Sequence, residues 1–144
     1  MSYDPRRSLD LQVNIALGCL RQTTIRAFAG RGRSRRRELS IADTMAEEIV
    51  TDLTATLRFS RDGAPVIRSR VARHIAEVLR GISDATALAW AGLDATARDD
   101  ARVKIADKIS QRLVERYTIN IIARATIVPS ANVWCGLKDA DEKA

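Results

Sequence analysis

The amino-acid sequence predicts a mainly α-helical fold, a single-domain bundle of four or five helices with an arginine-rich arm between the first two. Three observations carry that expectation. Apolar residues recur at steps of three and four through most of the 144 residues, the spacing that lines up one face of a helix. The chain is 46% apolar and 29% charged, the balance of a folded protein long enough to bury a core without disulfide staples. The third observation is an interruption. G-R-G-R-S-R-R-R at 30–37 gathers Arg31, Arg33, Arg35, Arg36 and Arg37 into one run, and clustered like charges resist burial.

Taken in order, Asp4-Pro5 and Ser8 open a helix over 8–29, in which Leu9, Val13, Ala16, Leu17, Leu20, Thr24 and Phe28 form one apolar stripe. Gly30 and Gly32 end it, and the basic arm occupies 30–38. Ser40 with Asp43 reads as a capping pair opening a second helix over 40–58, with Ile41, Met45, Ile49, Leu53 and Leu57 inward. Asp62-Gly63 is a strong turn signal. It would close a hairpin between 54–61 and 66–71, but Pro65 suits a first helical position. Ile67, Val71, Ile75, Val78, Leu79 and Ile82 keep helical spacing, so a helix over 65–80 is the preferred reading.

Ser83 or Asp84 caps a short helix over 84–91. Asp94 caps the fifth, over 95–125, along which Ala97, Ala101, Ile105, Ile109, Leu113 and Tyr117 step by four. Beyond Tyr117 the signal changes, because Thr118, Ile119, Ile121, Ile122, Thr126, Ile127 and Val128 are β-branched. A strand there would need a partner, either 133–137 in a short C-terminal β-hairpin or another subunit. A helix running to about 125 is preferred, followed by a charged tail at 138–144.

The formal net charge of +6 resides entirely in the first 40 residues, since the remaining chain holds fifteen basic and fifteen acidic residues. A solvated run of this kind is suited to a polyanion. Arg68 and Arg70, beside Arg73 and Arg80 on the third helix, would widen the same patch. Phe28 and Phe59 are the nearest aromatics, so tracking of phosphates is more natural than stacking of single-stranded bases.

Other chemistry finds little support. One His and two Cys leave no zinc ligand set, so no metal or cofactor is expected. His74 reads as a partly exposed helix residue, Cys19 as a buried small hydrophobe, and the carboxylate pairs Glu47-Glu48 and Asp99-Asp100 as helix-surface charge. The glycines of the arm lack the strand and the G-K-[ST] ending of a phosphate loop. Residues 75–90 resemble the helix-turn-helix of repressor-type DNA-binding domains at Gly81, Ile82, Ser83, Thr86 and Trp90. Arg80 adds a residue before the turn, however. The base-facing positions would be Asp84, Ala85, Ala87, Leu88 and Ala89, none able to make a bidentate base contact, so a plain packing unit is the expectation.

The reading is therefore a non-enzymatic, small basic nucleic-acid-binding protein, acting on DNA or RNA mainly through phosphate contacts, in a regulatory or packaging role. The residues expected to carry it are Arg31, Arg33, Arg35, Arg36, Arg37, Arg68, Arg70 and Arg73. The alternative is a protein-interaction subunit, an assembly component or inhibitor, docking on an acidic partner. A homo-oligomer is expected, since the first helix, cut off by the arm, is available for exchange. The absence of a signal-like or membrane-spanning apolar run and the scarcity of cysteine point to the cytoplasm.

Overall fold

The computed structural model describes residues 5–33 and 35–122. They form six helices and three strands in the order α1 (Pro5–Gly18), α2 (Gln22–Ala29), α3 (Ile41–Thr54), β1 (Leu57–Arg61), β2 (Ala64–Pro65), α4 (Arg68–Gly81), α5 (Asp84–Trp90), α6 (Ala95–Arg116) and β3 (Thr118–Ile121). The fold is mainly helical with a small antiparallel sheet of strand order β2-β1-β3. The expected bundle of four or five helices is thereby changed in number and gains a sheet.

The helix expected over 8–29 is two helices. Leu9, Val13, Ala16 and Leu17 of α1 are buried, as are Ile25, Phe28 and Ala29 of α2, while Thr24 is only half-buried. The buried set slips by one position across the break at 19–21, so the stripe that looked continuous changes face. Gly18 makes continuation of the helix costly by about 1 kcal/mol relative to Ala. Arg21 is extended, with φ −67° and ψ 137°, and its carbonyl accepts from the amides of Thr24 and Ile25 to start α2. Cys19 lies in this break and is exposed, which corrects the expectation of a buried small hydrophobe.

Helix α3 crosses the centre of the core, packing on α1 and α4 through Met45, Ala46, Ile49, Val50 and Leu53. The Ser40 cap does not form: Ser40 has helical dihedrals and its side chain makes no cap hydrogen bond. The helix ends at Thr54, not near 58, because Leu57 and Phe59 alternate inward along β1 with Arg58 outward.

Asp62 and Gly63 have φ of 53° and 81°, the two left-handed residues of a two-residue hairpin loop. Hairpin and helix both occur here, which corrects the choice between them. Ser60 pairs with Pro65 and the Val66 amide donates to the Phe59 carbonyl at 3.0 Å, after which α4 begins at Arg68.

Helix α5 is capped by Ser83, whose hydroxyl accepts from the Thr86 amide, and α6 by Asp94, whose carboxylate accepts from the amides of Thr96 and Ala97. Such caps contribute about 1 kcal/mol each. Helix α6 stops at Arg116 and does not run to 125. Tyr117 turns extended, at φ −132° and ψ 153°, and Thr118–Ile121 pair with β1 in the register Leu57↔Ile121, Phe59↔Ile119, Ser60↔Thr118. Thr118, Ile119 and Ile121 thus find their partner in β1, and Thr126, Ile127 and Val128 lie outside the described residues. The expected partner at 133–137 and the tail at 138–144 lie outside the described residues. Trp90, Phe28, Leu53, Ile75, Ile105 and Ile109 belong to one contiguous core that all six helices share.

Candidate polyanion-binding surface

The arm is fixed in place by its own sequence. Gly30 ends α2 in the left-handed region at φ 92°, and the Arg31 amide donates to the Arg26 carbonyl at 2.8 Å. Gly32 then lies so close to α2 that a Cβ there would stand 2.8 Å from the Ala27 Cα. This glycine is a packing residue, since any side chain would lift the arm off the helix.

Arg37 secures the other end. Its Nη1 donates to the Asp84 carboxylate at 2.7 Å and its Nη2 to the Leu79 carbonyl at 3.4 Å. Its guanidinium lies 5.0 Å from the centroid of the Phe28 ring, which stacks edge-on against Trp90 at 6.3 Å. The Arg37 side chain is only 18% exposed. It is an anchor joining the arm to α2, α4 and α5, and the expectation that it faces a ligand beside its four neighbours does not match this placement.

Between these fixed ends Arg31, Arg33, Arg35 and Arg36 are exposed. Arg31, Arg33 and Arg35 join Arg26 of α2 around an open concavity of about 760 Å³, completed by Gly30, Gly32 and Leu88. Among the described residues no carboxylate lines it, and Arg26, Arg31, Arg33 and Arg35 make no ion pair. Arg35 itself is left-handed, at φ 59°, a conformation that costs a non-glycine residue about 1 kcal/mol or more.

The arginines of α4 do not extend this concavity. Arg68 donates to the Thr51 hydroxyl at 2.7 Å. Arg70 and Arg73 are exposed on the N-terminal half of the helix, whereas Arg37 meets it at Leu79, nine residues beyond Arg70 and about 14 Å further along the axis. They face instead the corner formed by the hairpin and the end of α6. There Tyr117 is 5% exposed, and its ring meets Phe59 at 6.2 Å and His74 at 5.7 Å, both edge-on.

His74 is tucked against this ring, its side chain 13% exposed, with Nδ1 at 3.6 Å from the Glu77 carboxylate, beyond hydrogen-bond reach. Burial holds the imidazole below its ordinary pKa, helped by the positive charge of Arg116 and Arg112 and opposed by Glu77. Glu77 is itself shared with Arg112, which donates to it at 3.0 Å. Burial raises the Tyr117 hydroxyl, against the pull of Arg70, Arg116, Arg61 and Arg73.

The sequence-stretch resembling a helix-turn-helix is α4, a two-residue link and α5. Helix α5 has seven residues and packs on α2 and α6, with Trp90 buried and Asp84 in its first turn engaged by Arg37. Of the residues now seen around the two basic surfaces, Arg26, Arg61 and Arg116 were not legible as site residues. Arg26 reads as the polar side of one continuous helix, and Arg61 and Arg116 are brought toward one corner only by the pairing of β1 with β3.

Among the described residues no group of three or more His, Cys, Asp and Glu could hold a metal ion, and no helix is long and apolar enough to cross a membrane. No protein family, curated protein or solved structure matches the chain.

Proposed function

We propose that this chain is a non-enzymatic nucleic-acid-binding protein that holds the phosphate backbone with its arginine arm. The observation that carries the reading is the concavity of about 760 Å³ ringed by Arg26, Arg31, Arg33 and Arg35 without a lining carboxylate. Guanidinium groups offer planar forks of donors suited to phosphate oxygens, and a fixed arm gives up less conformational freedom on binding than a loose one. Arg36 adds to the same exposed run, and Arg37 serves by holding it. A regulatory or packaging role in the cytoplasm fits a binder of this kind, as does a homodimer that would double the basic surface. DNA and RNA duplexes both present the required phosphates.

The test is fluorescence anisotropy with a labelled duplex across a salt series, for the intact chain and for Arg31/Arg33/Arg35/Arg36→Ala. Four neutralised phosphates give a log–log slope contribution of about −3.6, or roughly a hundredfold in affinity between about 50 and 200 mM salt. The variant is expected to lose that part of the slope. Failure of the intact chain to bind at about 50 mM salt would overturn the proposal.

One observation favours a second reading, a protein-interaction subunit. Leu11 and Ile15, one turn apart on α1, are 60% and 52% exposed. A protein docked there would be specific and retained at high salt, the opposite of the behaviour expected from phosphate contacts.

A further inference from the structure

We propose that the corner where α4 meets the hairpin and the end of α6 is a second phosphate-contact surface, formed by Arg61, Arg70, Arg73 and Arg116 and separate from the arm.

Three elements bring these residues together. The β1–β3 register pairs Ser60 with Thr118, and continued by one residue it sets Arg61 opposite Tyr117. Arg116 is the last residue of α6, next to Tyr117 in the chain. On α4, His74 touches the Tyr117 ring, Arg73 is its neighbour, and Arg70 lies one turn before it on the same face. The buried Tyr117 ring, wedged between Phe59 and His74, therefore marks the corner to which β1, α4 and α6 bring these four arginines.

The charge of this corner is balanced only in part by its neighbours. Among the described residues Arg61, Arg70, Arg73 and Arg116 have no carboxylate within ion-pair distance. Glu77 pairs with Arg112, and Asp62 is the carboxylate that lines a hollow between Arg61 and Arg70. That hollow, about 510 Å³, runs between Arg61 and Arg70 over Ala64, Pro65, Val66 and Ile67. Placing four like charges at one corner costs free energy in the free protein, and a phosphodiester backbone removes that cost.

The inference rests on the nucleic-acid reading, and the experiment separates the two. Duplex binding is measured across a salt series for the intact chain, for Arg61/Arg70/Arg73→Ala, for Arg61/Arg70/Arg73→Lys and for the arm variant. The Ala corner variant is expected to weaken binding at low salt and to lose about 2 to 3 from the salt slope, one per phosphate contact removed, while the Lys variant keeps the slope. Far-ultraviolet circular dichroism shows whether each variant is folded. The Lys variant keeps the test valid should the Ala variant unfold, because a structural role for the guanidinium forks would be lost in it and a phosphate role would not. If the intact chain and the arm variant differ while the corner variants match the intact chain, the corner surface is refuted and the arm stands. If the intact chain binds no duplex, both fall.

Discussion

Arg37 shows how one residue of a charged run can differ in kind from its neighbours. In sequence it is the fifth arginine of a cluster, but in space it sits over Phe28, donates to Asp84 and reaches the Leu79 carbonyl. Its Nε is covered and has no hydrogen-bond partner among the described residues, a cost that offsets part of those contacts. Arg37→Ala is therefore expected to lower the stability by about 1 to 2 kcal/mol, whereas Arg33→Ala changes it by less than about 0.5 kcal/mol; urea denaturation checks both. Asp84, whose side chain is 81% exposed, contributes little on its own. His74 gives the second residue-scale expectation. Its folded pKa lies below the unfolded value, so the neutral ring is favoured by folding. The stability it contributes is complete above the unfolded pKa of about 6.5 and is lost as pH falls through the folded value. Thermal melts from neutral to mildly acid pH should show a decline that is shallower in His74→Gln. An equal decline in both would place the acid sensitivity elsewhere.

At the scale of elements, the legible part of the fold was whatever depends on helical period alone. The inward faces of α3, α4 and α6 follow from steps of three and four. Ile41, Ala42, Met45, Ala46, Ile49 and Val50 occupy the same phase toward the core as Ile105, Ala106, Ile109, Ser110, Leu113 and Val114. Boundaries set by distant partners were not legible. Residues 118–121 carry an ambiguous run of Ile and Thr, and only β1, about sixty positions earlier, decides for a strand. The same holds for the site: the arm is plain in the sequence, while the corner arginines meet only once β1, α4 and α6 are assembled. Two substitutions test the sheet. Ile119 is 4% exposed and Ile121 46%, so Ile119→Ala is expected to cost about 2 to 4 kcal/mol and Ile121→Ala well under about 1. The two positions share one face of the strand, so the contrast measures how far along β3 the core extends. Gly63→Ala meets no neighbouring atom and has only its φ of 81° to contend with, so a loss of about 1 kcal/mol is expected from backbone strain alone.

At the scale of the whole molecule, two groups of arginines among the described residues make no ion pair. Arg26, Arg31, Arg33 and Arg35 surround one concavity and Arg61, Arg70, Arg73 and Arg116 come from the elements that meet at Tyr117, while the carboxylates that do form ion pairs meet other cations. Self-repulsion within each group destabilises the folded chain, and at about 0.15 M salt it is screened beyond roughly 8 Å. Raising the salt should thus raise the melting temperature, and more so for the intact chain than for the arm variant. A duplex should do the same at low salt by mass action. At a hundred times its dissociation constant, a ligand that binds only the folded state adds about 2.7 kcal/mol, on the order of 10 °C for a chain of this length. Differential scanning fluorimetry with and without duplex reads this directly. A gain at about 0.05 M salt that disappears near 0.5 M is the behaviour of phosphate contacts. A gain that persists would mean that the duplex is held by something other than these arginines, and the charge-based account of the molecule would fail.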